Sequence, residues 1–329
     1  MEFRQLGRSG LRVSEVCLGT MTFGNDTWGC DEATSRKILD CSLDAGVNFI
    51  DTADIYSGGK SEEIVGRWMK GKREQVVIAT KVFFPTGSGP NERGTGRTHV
   101  RQAVEASLRR LETDYLDLYQ VHCWDRRTPI EETLSVLTDL IREGKVRYIG
   151  CSNFAAWHIE KSVRVSERDG LARFDCLQPQ YSLVVRDIER EILPVCREEG
   201  LGVIPWSPLG SGFLSGKFGR DQKPPEGTRL ATWEDTAARH MTDANFDLLD
   251  LLRKAGKAHN KSVASVALRW LLQMPGVTCP IIGARTMEQL EQNIDVSDWA
   301  LTPEEWKKID RASRMPEGYP YQFIRAMGG

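Results

Sequence analysis

The 329-residue chain is predicted to fold as one (β/α)8 barrel of the TIM type, with an N-terminal β-hairpin and extra helices, forming a single domain over residues 1–329. Three observations predict it. Roughly eight short apolar runs are each followed by a segment with helical spacing, the alternation that builds a parallel sheet. The runs show little polar alternation, as strands covered on both faces require. Three of them end on ionisable groups, Asp51, Lys81 and His122, which points to one polar site on the C-terminal rim, where such barrels carry their chemistry. A doubly wound sheet is the competing architecture. It would show a Gly-rich phosphate turn after an early strand, whereas the first barrel strand runs into Gly19-Thr20-Met21-Thr22-Phe23-Gly24. No P-loop and no interdomain linker is present.

The elements follow in order. Residues 2–13 read as a hairpin around Gly7-Arg8-Ser9-Gly10, and Val16–Gly19 as the first barrel strand. A helix over about 32–45 stops at Gly46, and strand 48–52 leads to a helix near 61–70 and strand 76–81. The loop 83–98, rich in Gly, Pro, Thr and Arg, is too long for a connector and is a candidate substrate loop. Val100, Val104, Leu108 and Leu111 mark one face of the next helix. Strand 116–122 precedes Thr128-Pro129-Ile130-Glu131, read as a capping box with Pro at the first helical position. Strand 146–150 ends in Cys151-Ser152-Asn153, and a helix follows to about 167. Strand 174–178, helix 188–199 and strand 202–207 come next, then an irregular stretch over 208–240. Helices are expected at 243–259 and 263–273, a last strand at 278–282, helices at 286–293 and from 302, and a tail over 315–329.

Composition excludes several classes. With 40% hydrophobic and 27% charged residues and a net charge of −2, the chain suits a soluble globular protein and offers no concentrated basic face for nucleic acid or an anionic membrane. No apolar run approaches the ~20 residues of a membrane span. Met1-Glu2-Phe3-Arg4-Gln5 lacks the apolar core of a secretory signal. The eight cysteines contain no CxxC pair, so they read as reduced thiols of a cytoplasmic protein with no metal site.

The chemistry rests on four side chains. A tyrosine, with an unperturbed pKa of ~10, is a poor acid at neutral pH, and an adjacent cation lowers that value. Lys81 supplies such a cation for Tyr56, Asp51 holds Lys81, and His122 orients a carbonyl oxygen beside Tyr56. Together they protonate a carbonyl as a hydride reaches its carbon. Taken singly, Asp51 and Lys81 read equally well as a structural ion pair, Tyr56 as a loop aromatic and His122 as a hydrogen-bonded structural residue.

The motifs resemble those of the aldo-keto reductases nearly end to end: Gly19-Thr20-Met21, Phe49-Ile50-Asp51-Thr52-Ala53-Asp54-Ile55-Tyr56, Ala79-Thr80-Lys81, Val121-His122, Gly150-Cys151-Ser152-Asn153-Phe154, Gln178-Pro179-Gln180-Tyr181-Ser182 and Pro205-Trp206-Ser207-Pro208-Leu209. The likeness is to the branch with a long loop after strand seven, which includes bacterial aldo/keto reductases and potassium-channel β subunits. It implies Tyr56 as general acid, Lys81 and Asp51 as its tuning pair and His122 as the substrate-positioning residue. It further implies NADPH/NADP as cofactor. Ser152, Asn153 and Gln178 match positions that hold the nicotinamide carboxamide, Trp206 the aromatic under the ring, and Ser207, Leu209, Ser211 and Gly212 the pyrophosphate loop. Gly19, Thr20, Met21 and Asp51 are included in the cofactor set. Lys217 and Arg229 match basic positions of the long loop. The segment Ile282–Asn293 matches the adenosine turn, with Gly283, Arg285, Gln289, Gln292 and Asn293 as contacts. Arg285 would then pair with the 2′-phosphate. Other branches carry Lys and Ser where Gly283 and Ala284 stand, which shifts that task to Arg285 and Lys217.

The expected partner is a small-molecule carbonyl substrate, with no nucleic acid and no membrane, and the sequence assigns no oligomeric state. Met21, Phe23, Trp28, Phe83 and Trp124 are expected to line an apolar mouth. Two rivals remain: an NADPH-binding regulatory barrel with little turnover, as in the channel β subunits, which carry Asn at the position of His122, and a Schiff-base lyase using Lys81 as nucleophile.

Overall fold

In the computed structural model, which describes residues 1–25, 27–220 and 222–328, β1 (Phe3–Gln5) and β2 (Arg12–Ser14) form the hairpin. The barrel follows as β3 (Cys17–Gly19), α1 (Glu32–Asp44), β4 (Phe49–Asp51), α2 (Lys60–Met69), β5 (Val77–Val82), α3 (Arg97–Arg110), β6 (Leu116–Val121), α4 (Ile130–Arg142), β7 (Val146–Ser152) and α5 (Ala156–Asp169). It continues with β8 (Cys176–Gln178), α6 (Ile192–Glu198), β9 (Gly202–Val203), α7 (Arg229–Thr232), α8 (Glu234–His240), α9 (Asp243–His259), α10 (Val263–Leu272), β10 (Ile281–Gly283), α11 (Met287–Ile294), α12 (Pro303–Ala312) and α13 (Tyr321–Met327). The eight barrel strands are all parallel, in the order β10-β3-β4-β5-β6-β7-β8-β9. Closure between the outer two comes from the chain just before β10 and from its first residue: Thr278 N–H donates to Val203 O at 2.8 Å and Ile281 N–H to Pro205 O at 2.8 Å.

Strand alternation creates two cores. Cys17, Phe49, Val77, Ala79, Leu118, Cys176, Ile204 and Ile281 fill the barrel interior, and Leu6 and Val13 of the hairpin region join them, so the hairpin plugs the end of the barrel opposite the catalytic rim. The intervening outward residues, such as Leu18, Ile50, Ile78 and Leu177, meet the helix faces in the larger cluster. That cluster includes the predicted Val100, Val104, Leu108 and Leu111. Gly46, at φ +86°, ends α1 as expected, since glycine takes the left-handed conformation without a Cβ penalty. Thr302 and Glu305 form a reciprocal capping box at α12. All eight cysteines are free thiols. Among the described residues, no helix is long and apolar enough to cross a membrane.

Several boundaries differ from the sequence reading. The expected strand 202–207 is regular only at Gly202–Val203, and the last strand begins at Ile281. Pro205 and Pro280 interrupt these two segments, and proline has no N–H for the ladder. The capping box at Thr128 is not made. Its hydroxyl donates instead to Asp125 Oδ2 at 2.8 Å, and Pro129 is the N-cap rather than the first helical residue. The stretch 208–240, expected to be irregular, contains α7 and α8, anchored by buried Leu230 and His240. The tail carries α13, with Tyr321 Oη donating to Glu191 Oε1 at 2.6 Å.

Candidate active site

The inward-facing residues at the C-terminal strand ends meet in one buried cluster. Lys81 Nζ donates to Asp51 Oδ1 at 2.6 Å, to Thr52 O at 2.7 Å and to Tyr56 Oη at 3.1 Å. Register explains the meeting. Asp51 lies opposite Ala79, two residues before Lys81, so both belong to the inward file of neighbouring strands. Lys81 in turn lies opposite Gln120, whose Nε2 donates to the second Asp51 oxygen at 3.2 Å. Gln178 Nε2 donates to the same oxygen at 2.9 Å. Gln120 is a site residue that sequence reasoning passed over. The signal was available, because it stands two positions before His122 in an otherwise apolar run and so shares its face. Gly150 makes room for it: a Cβ there would lie 2.7 Å from Cys176 Sγ and 3.1 Å from Gln120 Cγ.

Tyr56 leaves β4 on a tight turn. Ser57, Gly58 and Gly59 all have positive φ, a left-handed run that swings the chain into α2. The Ser57 hydroxyl ties this turn to Phe23 O at 2.9 Å. Because Lys81 donates to the phenol oxygen, the phenol proton is left for another acceptor. Burial raises the Tyr56 pKa, Lys81 opposes this, Asp51 adds to it, and the net direction is upward. This corrects the expectation of an acidified phenol: the ammonium offsets part of the cost of burial without overcoming it. The ring keeps exposed surface only towards the cleft it lines. Burial pulls Lys81 down, but Asp51 and Tyr56 outweigh it and hold the amine above its ordinary value. His122 is pulled down to about 2 by burial and by Lys81, so its ring is neutral at physiological pH. The ring stands edge-on to Phe84 at 4.9 Å and to Tyr56 at 6.1 Å between centroids.

These groups open into a cleft of about 960 Å³ that runs from His122 and Tyr56, past Trp206, to the start of α11. Gly19, Met21, Ser152, Asn153, Gln178, Trp206, Ser207, Leu209, Ser211 and Gly212 line it. Lys217, Gly283, Arg285, Gln289, Gln292 and Asn293 line it further along, and Arg229 lies within electrostatic reach of both Tyr56 and Arg285. Thr20 does not. It is fully buried behind the wall, with its hydroxyl donating to Asp51 O at 3.0 Å. Ser152 Oγ donates to Gln178 O at 2.7 Å, and Asn153 Nδ2 donates to His122 O at 2.9 Å. Trp206 Nε1 donates to Asn153 Oδ1 at 3.3 Å, which fixes the indole against the cleft wall. Thr286 caps α11 by accepting from Gln289 N, while Gln289 Oε1 accepts from Arg285 N at 3.1 Å. Asn293 Nδ2 donates to Gly283 O at 3.1 Å, closing the same turn.

The mouth differs from expectation at three aromatics. Phe23 is fully buried in the core. Phe84, not Phe83, lines the cleft. Trp124 is not among the cleft residues; it packs against Phe154 and stacks on His158 at 4.0 Å. Trp28 is in place, and Trp233, which the sequence reading missed, joins it. Their indoles flank the Arg229 guanidinium at 5.0 and 5.9 Å, a cation–π arrangement.

Comparison with known proteins agrees with this geometry. The family model described as Aldo/keto reductase family matches residues 15–314. The chain belongs to the aldo/keto reductase family. It is 44% identical over 315 residues to the uncharacterized oxidoreductase YrpG of Bacillus subtilis (strain 168), covering 92% of this chain and 93% of that one. It is 37% identical over 330 residues to norsolorinic acid reductase of Aspergillus flavus, covering 96% and 82%. It is also 36% identical over 318 residues to a probable voltage-gated potassium channel subunit beta of Oryza sativa subsp. japonica, covering 94% and 96%. As an aldo/keto reductase with oxidoreductase relatives, the protein has carbonyl reduction as its general chemistry and a nicotinamide dinucleotide as its general cofactor type.

The cleft fits such a dinucleotide by its donor chemistry. Lys217, Arg229 and Arg285 line it, and among the described residues none of them forms an ion pair with a carboxylate. Burial, with Arg285 adding to it, lowers the Arg229 pKa. Lys217 is lowered by burial, then by Arg285 and Arg229; it is exposed by surface area, yet enough protein flanks it for burial to lead. Three cations that disfavour one another across one groove make a site for anionic groups.

Proposed function

We propose that the protein is an NADPH-dependent reductase of aldehyde or ketone carbonyls in which Tyr56 is the general acid. The observation that carries this is the hydrogen bond from Lys81 to the Tyr56 oxygen, at the base of a cleft that gathers unpaired cations. Bound there, the reduced nicotinamide supplies the hydride. Trp206 would lie against the ring, and Gln178, whose Nε2 is engaged by Asp51, keeps Oε1 for the carboxamide. At the acceptor end, Tyr56 Oη donates its proton to the carbonyl oxygen. Lys81 then stabilises the phenolate left behind, and Asp51 fixes Lys81. Neutral His122 orients the carbonyl without adding a competing charge. Phe84 and Trp28 offer flat apolar walls to the rest of the substrate. Two relatives point the same way: one is named norsolorinic acid reductase, another aryl-alcohol dehydrogenase, at 36% identity.

The lyase reading is weaker. An imine-forming lysine must present a neutral amine, and Asp51 holds Lys81 as an ammonium. The regulatory reading follows the channel relative, but the acid, its tuning pair and His122 are all in place here. Purified protein should consume NADPH, read at its absorbance, only when a carbonyl compound is supplied; no loss across a panel of aldehydes and ketones would reject the reading. For the cofactor, Arg285 and Lys217 favour the 2′-phosphate. Arg285→Ala should weaken NADPH by about 10- to 100-fold, the scale of one charged hydrogen bond, and leave NADH nearly unchanged. Equal weakening in direct binding titrations would remove Arg285 from that contact.

A further inference from the structure

Behind the catalytic turn lies a second polar cluster that this chemistry does not use. Asp54 stands two residues before Tyr56 and is 3% exposed. Neither of its carboxyl oxygens has a hydrogen-bond partner among the described residues. The Tyr119 hydroxyl, on the outward face of β6, is equally buried and equally without partner. Between them and the helices sits Glu62 of α2, fully buried, accepting from Arg110 Nε at 2.7 Å and from Thr80 Oγ1 at 2.5 Å. A buried carboxylate carries a large desolvation cost; the adjacent Ile55 N–H offsets part of it, and Glu62 adds a like charge.

The groups facing Asp54 can be named element by element. Glu62 comes from α2, Arg110 from α3, Lys81 from β5, and Tyr119 lies within electrostatic reach on β6. Burial is the largest influence and Glu62 works in the same direction; Arg110, the neighbouring Ile55 N–H and Lys81 oppose, and the carboxyl is raised to about 7. Asp54 is also wired to the catalytic groups through the backbone. Its N–H donates to Lys81 O at 3.4 Å, and Tyr56 N–H donates to Ala53 O at 3.1 Å.

We propose that Asp54 is a positioning residue for Tyr56, its buried side chain backing the turn 52–56 from behind. The proposal rests on Tyr56 being the proton donor. As a neutral acid, Asp54 avoids placing a second buried charge beside Glu62. Once ionised, it must draw in water or a new donor, and the turn that sets the Tyr56–Lys81 distance shifts with it.

Asp54→Asn keeps the shape and the neutrality and is the deciding variant. Wild type should lose kcat as pH rises through about 7, with KM and NADPH affinity little changed. Asp54→Asn should retain the wild-type kcat at pH 6 and lose this fall. Asp54→Ala should lower kcat about 10- to 100-fold at every pH, the scale of a misplaced catalytic group. Glu62→Gln removes the like charge and should move the fall to lower pH. Thermal melts give a readout that needs no turnover. An acid whose folded pKa is raised costs stability as pH climbs from the unfolded value near 4 to the folded one. The Asp54→Asn melting temperature should therefore match wild type only at or below about pH 4, and exceed it by a margin that grows with pH up to about 7. An Asn variant that behaves like Ala, keeps the wild-type fall, or melts in parallel with wild type at all pH values overturns the proposal. Melts as expected without any carbonyl turnover in wild type would overturn the proton-donor reading, and the positioning role with it.

Discussion

Tyr56→Phe should leave NADPH affinity within about twofold of wild type and lower kcat by about 10²- to 10⁴-fold, the range assigned to a positioned general acid. The phenyl ring keeps the packing of the turn, because the ring contacts with His122 and the Lys81 ammonium involve its face and edge. What is removed is one hydroxyl: the acceptor of the Lys81 hydrogen bond and the only phenol facing the acceptor end of the cleft among the described residues. Lys81 still has Asp51 and Thr52 O as partners, so the cluster loses one of three bonds and should stay folded. A loss in kcat with KM preserved locates the effect in the transition state. Should the Phe variant turn over at near wild-type rates, another proton source would have to be found. His122 would be a poor one, because a ring held neutral down to about pH 2 carries no second proton to give. The wild-type rate should accordingly show no break attributable to His122 between pH 5 and 8.

The site was legible where chemistry coincides with strand periodicity. Asp51, Lys81 and His122 each end an apolar run, and such runs in a βα alternation have only one rim to share. What the sequence hid was the third dimension of the same pattern. Gln120 follows from parity, yet a glutamine inside a strand reads as a defect until Asp51 is seen to need a second donor. Phe23 and Trp124 carry the composition of a mouth, but loop direction decides which way an aromatic turns, and no local spacing encodes that direction. Thr128 shows the same limit at small scale: the capping motif was present, and a nearer carboxylate, Asp125, took its hydroxyl. Asp54 lay inside the quoted motif with no role attached. Its burial depends on α2 and α3 packing behind it, contacts that no single-strand argument can supply.

Lys81→Met tests whether the buried pair is scaffold or instrument. Lys81 is fully buried and Asp51 is 2% exposed, so removing one partner strands the other charge in the interior, at a cost of about 3–5 kcal/mol. Gln120 and Gln178 still donate to one Asp51 oxygen, which soften the loss without replacing a counter-ion. A lowered denaturation midpoint and absent turnover are expected together, and alone they do not separate stability from catalysis. Asp51→Asn combined with Lys81→Met does. Neither position of the pair is then charged, and the Asn side chain can still accept from one of the two glutamines, so most of the lost stability should return, as it does when a buried ion pair is replaced by neutral groups of similar size. Turnover should not return, because Tyr56 would have no ammonium to stabilise its conjugate base. The raised Lys81 pKa sets the pH window for reading this. The lysine's contribution to the pair is present below the ordinary lysine value near ~10.4 and is lost only as pH rises through the higher folded one, so Lys81 itself adds no titration across neutral pH; a pH dependence there belongs to Asp54. A double variant that regains both folding and rate would show that the ion pair serves the fold alone, and the Tyr56 phenolate would need a different stabilising group.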